Sequence, residues 1–194
     1  MIGKEAQAEF LLEAMPYIEK YQNKILVVKY GGNAMTDDEL KQLVMRDMTL
    51  LRFVGIKVVL VHGGGPEISQ TLKRMGIESR FVNGLRYTDE ETAEVVRMVL
   101  AGKVNKSLVH MLGAMGARAV GISGIDGNML KCSKESEDLG FVGKIERVDT
   151  HILTSCLDAG YLPVVSTVGY DDDGNIYNVN ADTAASAIAG ALKA

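Results

Sequence analysis

Four short stretches bring together residue types suited to holding anions. "KYGGN" (29–33) sets Lys29 beside Gly31 and Gly32. Glycine has no Cβ, so its N–H can approach a bound anion closely, and a lysine ammonium is a point charge suited to a phosphoryl oxygen. "HGGGP" (62–66) places Gly63, Gly64 and Gly65 before Pro66, a residue that favours the first turn of a helix. Backbone donors followed by a helix N-terminus make a general anion site. Arg86, in "GLRYT" (84–88), lies just before a helix start, on a loop. Its planar fork can hold a carboxylate bidentately. "NVNAD" (178–182) offers Asn178 and Asp182 around Asn180. Three of them also have a structural reading: a snorkelling strand-end lysine with turn glycines, an exposed loop arginine, an N-cap with a first-turn acid. The cap reading leaves Asn178 unexplained.

Other chemistries find no support. Neither GxxxxGK[ST] nor GxGxxG occurs, so the glycines alone do not indicate a nucleotide. A carboxylate fits a three-glycine nest as well as a phosphate does. His62, His110 and His151 stand in no HExxH or triad context, Cys132 and Cys156 match no metal spacing, and no metal site is expected. "DDDGN" (171–175) has its glycine misplaced for a calcium loop and reads as an acidic turn. The 194 residues carry a net charge of −4 with no dense Lys/Arg block, which argues against nucleic acid and anionic membrane as partners. Glu5, Glu9, Glu13 and Glu19 interrupt the N-terminal apolar residues, so no signal peptide is read there. No run approaches the roughly 20 apolar residues that span a bilayer. Two distant cysteines fit a reduced, cytoplasmic protein.

The elements that must position these residues follow from periodicity. Residues 1–22 hold an amphipathic helix over 8–21, with Phe10, Leu11, Leu12, Met15, Ile18 and Tyr21 at helical spacing. Its apolar face is read either as core or as an interface with another subunit. Residues 23–194 form one domain. Apolar runs at 24–30, 57–62, 118–123 and 161–167 read as buried strands. Helices are expected over 36–55, 66–75, 88–116, 149–160 and 178–194. Thr36 with Glu39, and Thr88 with Glu91, have capping-box spacing. "NMLKCSK" and "GFVGKIERV" flank a polar stretch and suggest a β-hairpin. The alternation predicts an α/β fold, a three-layer αβα sandwich around a mostly parallel sheet. In such sheets ligands sit at the carboxyl ends of strands, where "KYGGN" and "HGGGP" end the first two strands and "NVNAD" ends the stretch beyond the fourth.

Together "VVKYGGNAM", "VLVHGGGPEI", "NGLRYTDEETAEVVRMVLAGKVNKSLV", "GISGIDGN" and "NVNADTAASAIAGAL" resemble the acetylglutamate kinases of the amino-acid kinase superfamily, over essentially the whole chain from about Leu11. The resemblance implies phosphoryl transfer from MgATP to the side-chain carboxylate of N-acetyl-L-glutamate, a step of arginine biosynthesis. It implies that Lys29 stabilises the transferring phosphoryl group beside Gly31 and Gly32. Gly63, Gly64 and Gly65 would embrace the acceptor, Arg86 and Asn178 would grip its amino-acid end, and Asp182 would organise the catalytic lysines. It also implies a homodimer, N-terminal helices that link dimers into a hexamer, and feedback inhibition of the full-length parent by L-arginine. Relatives continue for about another hundred residues, a nucleotide-binding lobe that this chain would lack, so the chain alone is expected to be inactive. Ile125 in "GISGIDG" stands where many relatives carry lysine. Two rival readings are another amino-acid kinase acting on a carboxylate or carbamate, and a non-catalytic acceptor-binding module.

Overall fold

A computed structural model describes residues 3–194. In chain order it contains α1 (Lys4–Tyr21), β1 (Ile25–Tyr30), α2 (Asp38–Phe53), β2 (Lys57–His62), α3 (Gly65–Met75), β3 (Phe81–Val82), β4 (Leu85–Arg86) and α4 (Glu90–Arg97). A π-helical segment (Met98–Val104) joins α4 to α5 (Asn105–Ala114) without a break in the helical run. Next come β5 (Ala119–Ser123), β6 (Leu130–Lys134), β7 (Gly143–Val148), α6 (His151–Asp158), β8 (Leu162–Ser166), β9 (Val168–Tyr170), β10 (Ile176–Asn178) and α7 (Ala181–Leu192).

The central sheet is parallel, in the order β1-β2-β8-β5. Its strands are β-branched and apolar on both faces because both faces are covered. Val58, Leu60 and Val164 point to one side and pack with Met45 of α2, Leu72 of α3, Val95 of α4 and Leu108 and Leu112 of α5. Val59, Val61 and Val165 point to the other and pack with Leu153 and Leu157 of α6 and Ala184 and Ile188 of α7. The expected hairpin is present as β6 and β7, and it belongs to a second sheet, β10-β9-β6-β7, whose Leu130, Cys132 and Tyr177 join that same core. The acidic turn is closed by Asp171, whose carboxylate accepts from the backbone N–H of Asp173 and Asn175 and from the Asn175 and Tyr177 side chains.

Both capping boxes require correction. In α2 the cap is Asp37, whose side chain accepts from the N–H of Glu39 and Leu40. In α4 it is Asp89, accepting from the N–H of Thr92. Aspartate outranks threonine as an N-cap and adds a negative charge at the positive end of the helix. Asn178 does not open the last helix as expected. It ends β10, and Asn180 is the cap of α7, accepting from the N–H of Asp182 and Thr183. Helix α1 carries Phe10, Leu11, Leu12, Met15 and Tyr17 out to solvent, so its apolar face is not core within this chain.

Candidate active site

β1 and β2 pair in register from Ile25–Lys57 to Tyr30–His62, so their carboxyl ends are level. The chain leaving β1 therefore emerges beside the chain leaving β2, and the Gly63 N–H donates to the Tyr30 carbonyl at 3.1 Å. A cleft of about 260 Å³ opens at this end of the sheet. Its lining includes Lys29, Gly31, Gly32, Gly63, Gly64, Gly65, Arg86, Asn178 and Asp182, brought together from four separate stretches. The N–H groups of Gly31, Gly32, Gly64 and Gly65 have no hydrogen-bond partner among the described residues. They are the donors a bound anion would need.

Lys29 Nζ lies 3.1 Å from Asp182 Oδ1. Register puts the lysine one residue before the end of β1, and the Asn180 cap puts the aspartate in the first turn of α7. The carboxylate is 72% exposed, so the pair contributes little to stability and is free to reorganise around a ligand.

Arg86 is not the exposed loop arginine that composition favours. It ends β4, is only 7% exposed and lies over the Phe81 ring at 4.7 Å. Nη2 donates to the Gly65 carbonyl at 3.0 Å and to Ser69 Oγ at 2.7 Å, and Nη1 donates to Ser79 Oγ. Burial lowers its pKa. Arg86 thus ties α3 and the glycine loop to the β3–β4 ribbon at the wall of the cleft.

Thr88, expected as a cap, is fully buried and acts as a link. Its hydroxyl donates to the Arg86 carbonyl at 2.8 Å and accepts from Asn178 Nδ2 at 3.2 Å. Two site residues 92 positions apart are joined through it. The apolar walls Leu100, Val142 and Val179 were not legible as site residues, because valines and leucines at element ends look like core anywhere. Ile125 does not line the cleft; it packs against the core on the α2–α5 side. Among the described residues no group of three or more His, Cys, Asp or Glu side chains could hold a metal ion, and no helix is long and apolar enough to cross a membrane.

Comparisons with known proteins agree with this architecture. The acetylglutamate kinase of Caldanaerobacter subterraneus subsp. tengcongensis is 57% identical over 97% of this chain. That of Clostridioides difficile is also 57% identical over 97%. The chain spans 64% of the length of the first and 66% of the second. Among solved structures, N-acetylglutamate synthase from Neisseria gonorrhoeae, complexed with coenzyme A and N-acetyl-glutamate, superposes with a TM-score of 0.80 at 26% identity. That likeness covers 96% of this chain and 43% of the synthase. A sequence model of the amino acid kinase family matches residues 24–194. With its parallel sheet and its cleft at the strand ends, the chain belongs to the amino acid kinase family.

Proposed function

We propose that this chain is the acceptor-binding part of an acetylglutamate kinase, and that residues 23–194 form its N-acetyl-L-glutamate-binding and dimerisation domain. The observation that carries this reading is the single cleft lined by Lys29, both glycine pairs of donors, Arg86, Asn178 and Asp182. Its likeness to acetylglutamate kinases at 57% identity supports the choice of acceptor. The activity of the longer protein is phosphoryl transfer from ATP, carried with Mg²⁺, to the side-chain carboxylate of N-acetyl-L-glutamate in arginine biosynthesis.

Such a transfer needs no protein nucleophile, because the acceptor is already an anion. It needs two anions brought together and their growing charge neutralised. In this proposal the Arg86 guanidinium and the Asn178 amide hold the amino-acid end of the acceptor. The N–H groups of Gly64 and Gly65 hold its reacting carboxylate. Lys29 and the N–H groups of Gly31 and Gly32 face the phosphoryl group in transit, and Asp182 orients the Lys29 ammonium. MgATP would supply the phosphoryl group from a site formed mostly outside these residues, so the chain alone binds acceptor and does not turn over.

Calorimetric titration of the full chain with N-acetyl-L-glutamate and with free L-glutamate tests the reading. Binding of the acetylated ligand, with the free amino acid weaker, is expected. Equal or no binding of the acetylated ligand refutes the acceptor assignment, and acetylglutamate-dependent ATP turnover refutes the inactivity. We further propose a cytoplasmic homodimer whose exposed α1 faces link dimers. Light scattering of the chain with and without residues 1–22 is expected to show a larger assembly only when α1 is present. L-Arginine is proposed to inhibit the longer parent, and calorimetry is expected to show no tight binding to this chain.

A further inference from the structure

Beneath the glycine loop lies a buried polar pair that the proposed function does not use. His62, at the end of β2, and Asn105, at the start of α5, have no exposed surface. Asn105 Nδ2 lies 3.1 Å from His62 Nε2, 2.9 Å from the Val164 carbonyl and 3.3 Å from the Ile122 carbonyl. Asn105 Oδ1 accepts from Lys106 Nζ at 3.1 Å. The amide orientation is therefore set: its nitrogen faces acceptors and its oxygen faces a cation. An Nε2 that accepts from an amide leaves the ring proton on Nδ1, 2.9 Å from the Gly63 carbonyl. Burial and the Lys106 ammonium keep this ring neutral.

The π-helical segment explains how one helix reaches both places. Leu100 and Asn105 are five residues apart, which would put them about 140° apart around an α-helix. Here the Asn105 N–H reaches back to the Leu100 carbonyl, the i to i−5 bond of a π turn, and both residues face the end of β2. Leu100 packs so close under Gly64 that a Cβ there would lie 2.5 Å from its Cδ2.

We infer that Asn105 is a positioning residue for the glycine loop: through His62 it pins the Gly63 carbonyl to a buried ring, so that the following N–H groups stay available to an anion. A Gly63 peptide turned the other way would present its oxygen to the cleft and repel the same anion. The inference rests on the cleft being an acetylglutamate site, and it adds a residue that never touches the ligand.

The test uses the full chain with Asn105→Leu, which removes the donor and keeps the branching at Cγ, and the double variant Asn105→Leu/His62→Asn. An asparagine amide at position 62 can stand where Nδ1 stands, and so can hold Gly63 without help. Asn105→Leu is expected to weaken N-acetyl-L-glutamate binding at least about tenfold and to move the amide resonances of Gly64 and Gly65. The added His62→Asn is expected to return affinity to within roughly threefold, a rescue that loss of packing would not allow. Nitrogen NMR of the wild-type ring is expected to show the Nδ1–H tautomer. Wild-type affinity in a folded Asn105→Leu, absence of rescue, or an Nε2–H ring each overturns the inference. Should Asn105→Leu not fold, Asn105→Ser, whose hydroxyl is too short to reach Nε2, replaces it. If the wild-type chain binds no acetylglutamate, the acceptor reading falls. The ring tautomer and the Gly64 and Gly65 resonances then decide the inference by themselves.

Discussion

Arg86 illustrates what residue identity alone conceals. A loop arginine is ordinarily solvated, yet this one is stacked on Phe81 and fixed by Gly65, Ser69 and Ser79. Its geometry is set before any ligand arrives, so the cost of ordering a long side chain is met on folding. Lysine keeps the charge and loses the fork. Arg86→Lys is therefore expected to weaken N-acetyl-L-glutamate binding by about tenfold or more in a calorimetric titration, with the chain still folded. Asp182 should behave differently. Its carboxylate is exposed, so Asp182→Asn is expected to change the free energy of unfolding by less than about 1 kcal/mol in urea titrations. At this scale the sequence reading named nine site residues, and all nine line one cleft. It left out Thr88, Leu100 and Asn105. A buried threonine hydroxyl between Arg86 and Asn178 leaves no spacing signature, because Asn178 lies 90 residues from it in sequence.

Elements were easier to read than their boundaries. Strand runs and helical periodicity gave the α/β order because apolar patterning extends over many residues, while a cap depends on one side chain. In "TDDE" (36–39) and "TDEE" (88–91) the aspartate, one residue after the threonine, wins the cap. Asp89→Ala is expected to cost about 1 kcal/mol in urea unfolding, the usual loss for a cap. The β-rich insertion was only partly legible, since β9 and β10 are three residues each and gain their identity from pairing. Its junction with the body falls at Gly140. There φ is +66°, and a Cβ would collide with the Thr88 carbonyl. The neighbouring Phe141 N–H donates to that same carbonyl at 2.6 Å, and the Phe141 carbonyl accepts from Asn178 at 2.8 Å. Gly140→Ala is expected to destabilise the chain by about 2 kcal/mol or more and to loosen Asn178, seen as faster hydrogen exchange at Phe141 and Asn178.

For the molecule as a whole, the neutral buried imidazole makes stability depend on pH. His62 has its pKa lowered from 6.5 to about 4, chiefly by burial. Between those values the unfolded chain binds a proton that the folded chain refuses, so stability rises with pH across that window. The contribution is complete above the unfolded value and is lost as pH falls toward the folded one. It amounts to roughly 3 kcal/mol over the full window. Urea unfolding from about pH 7 down to about pH 4 should show this slope, and a His62→Gln chain should lack it. The strand order β1-β2-β8-β5 has a kinetic consequence as well. β2 finds β8 only after a hundred residues have been bridged, and the cleft draws on residues from 29 to 182. Loop-closure entropy must be overcome before those contacts form, so such a topology folds slowly. Completion of the cleft therefore waits on its most distant contacts: ligand capture should appear in the slowest phase, together with protection of β2 and β8.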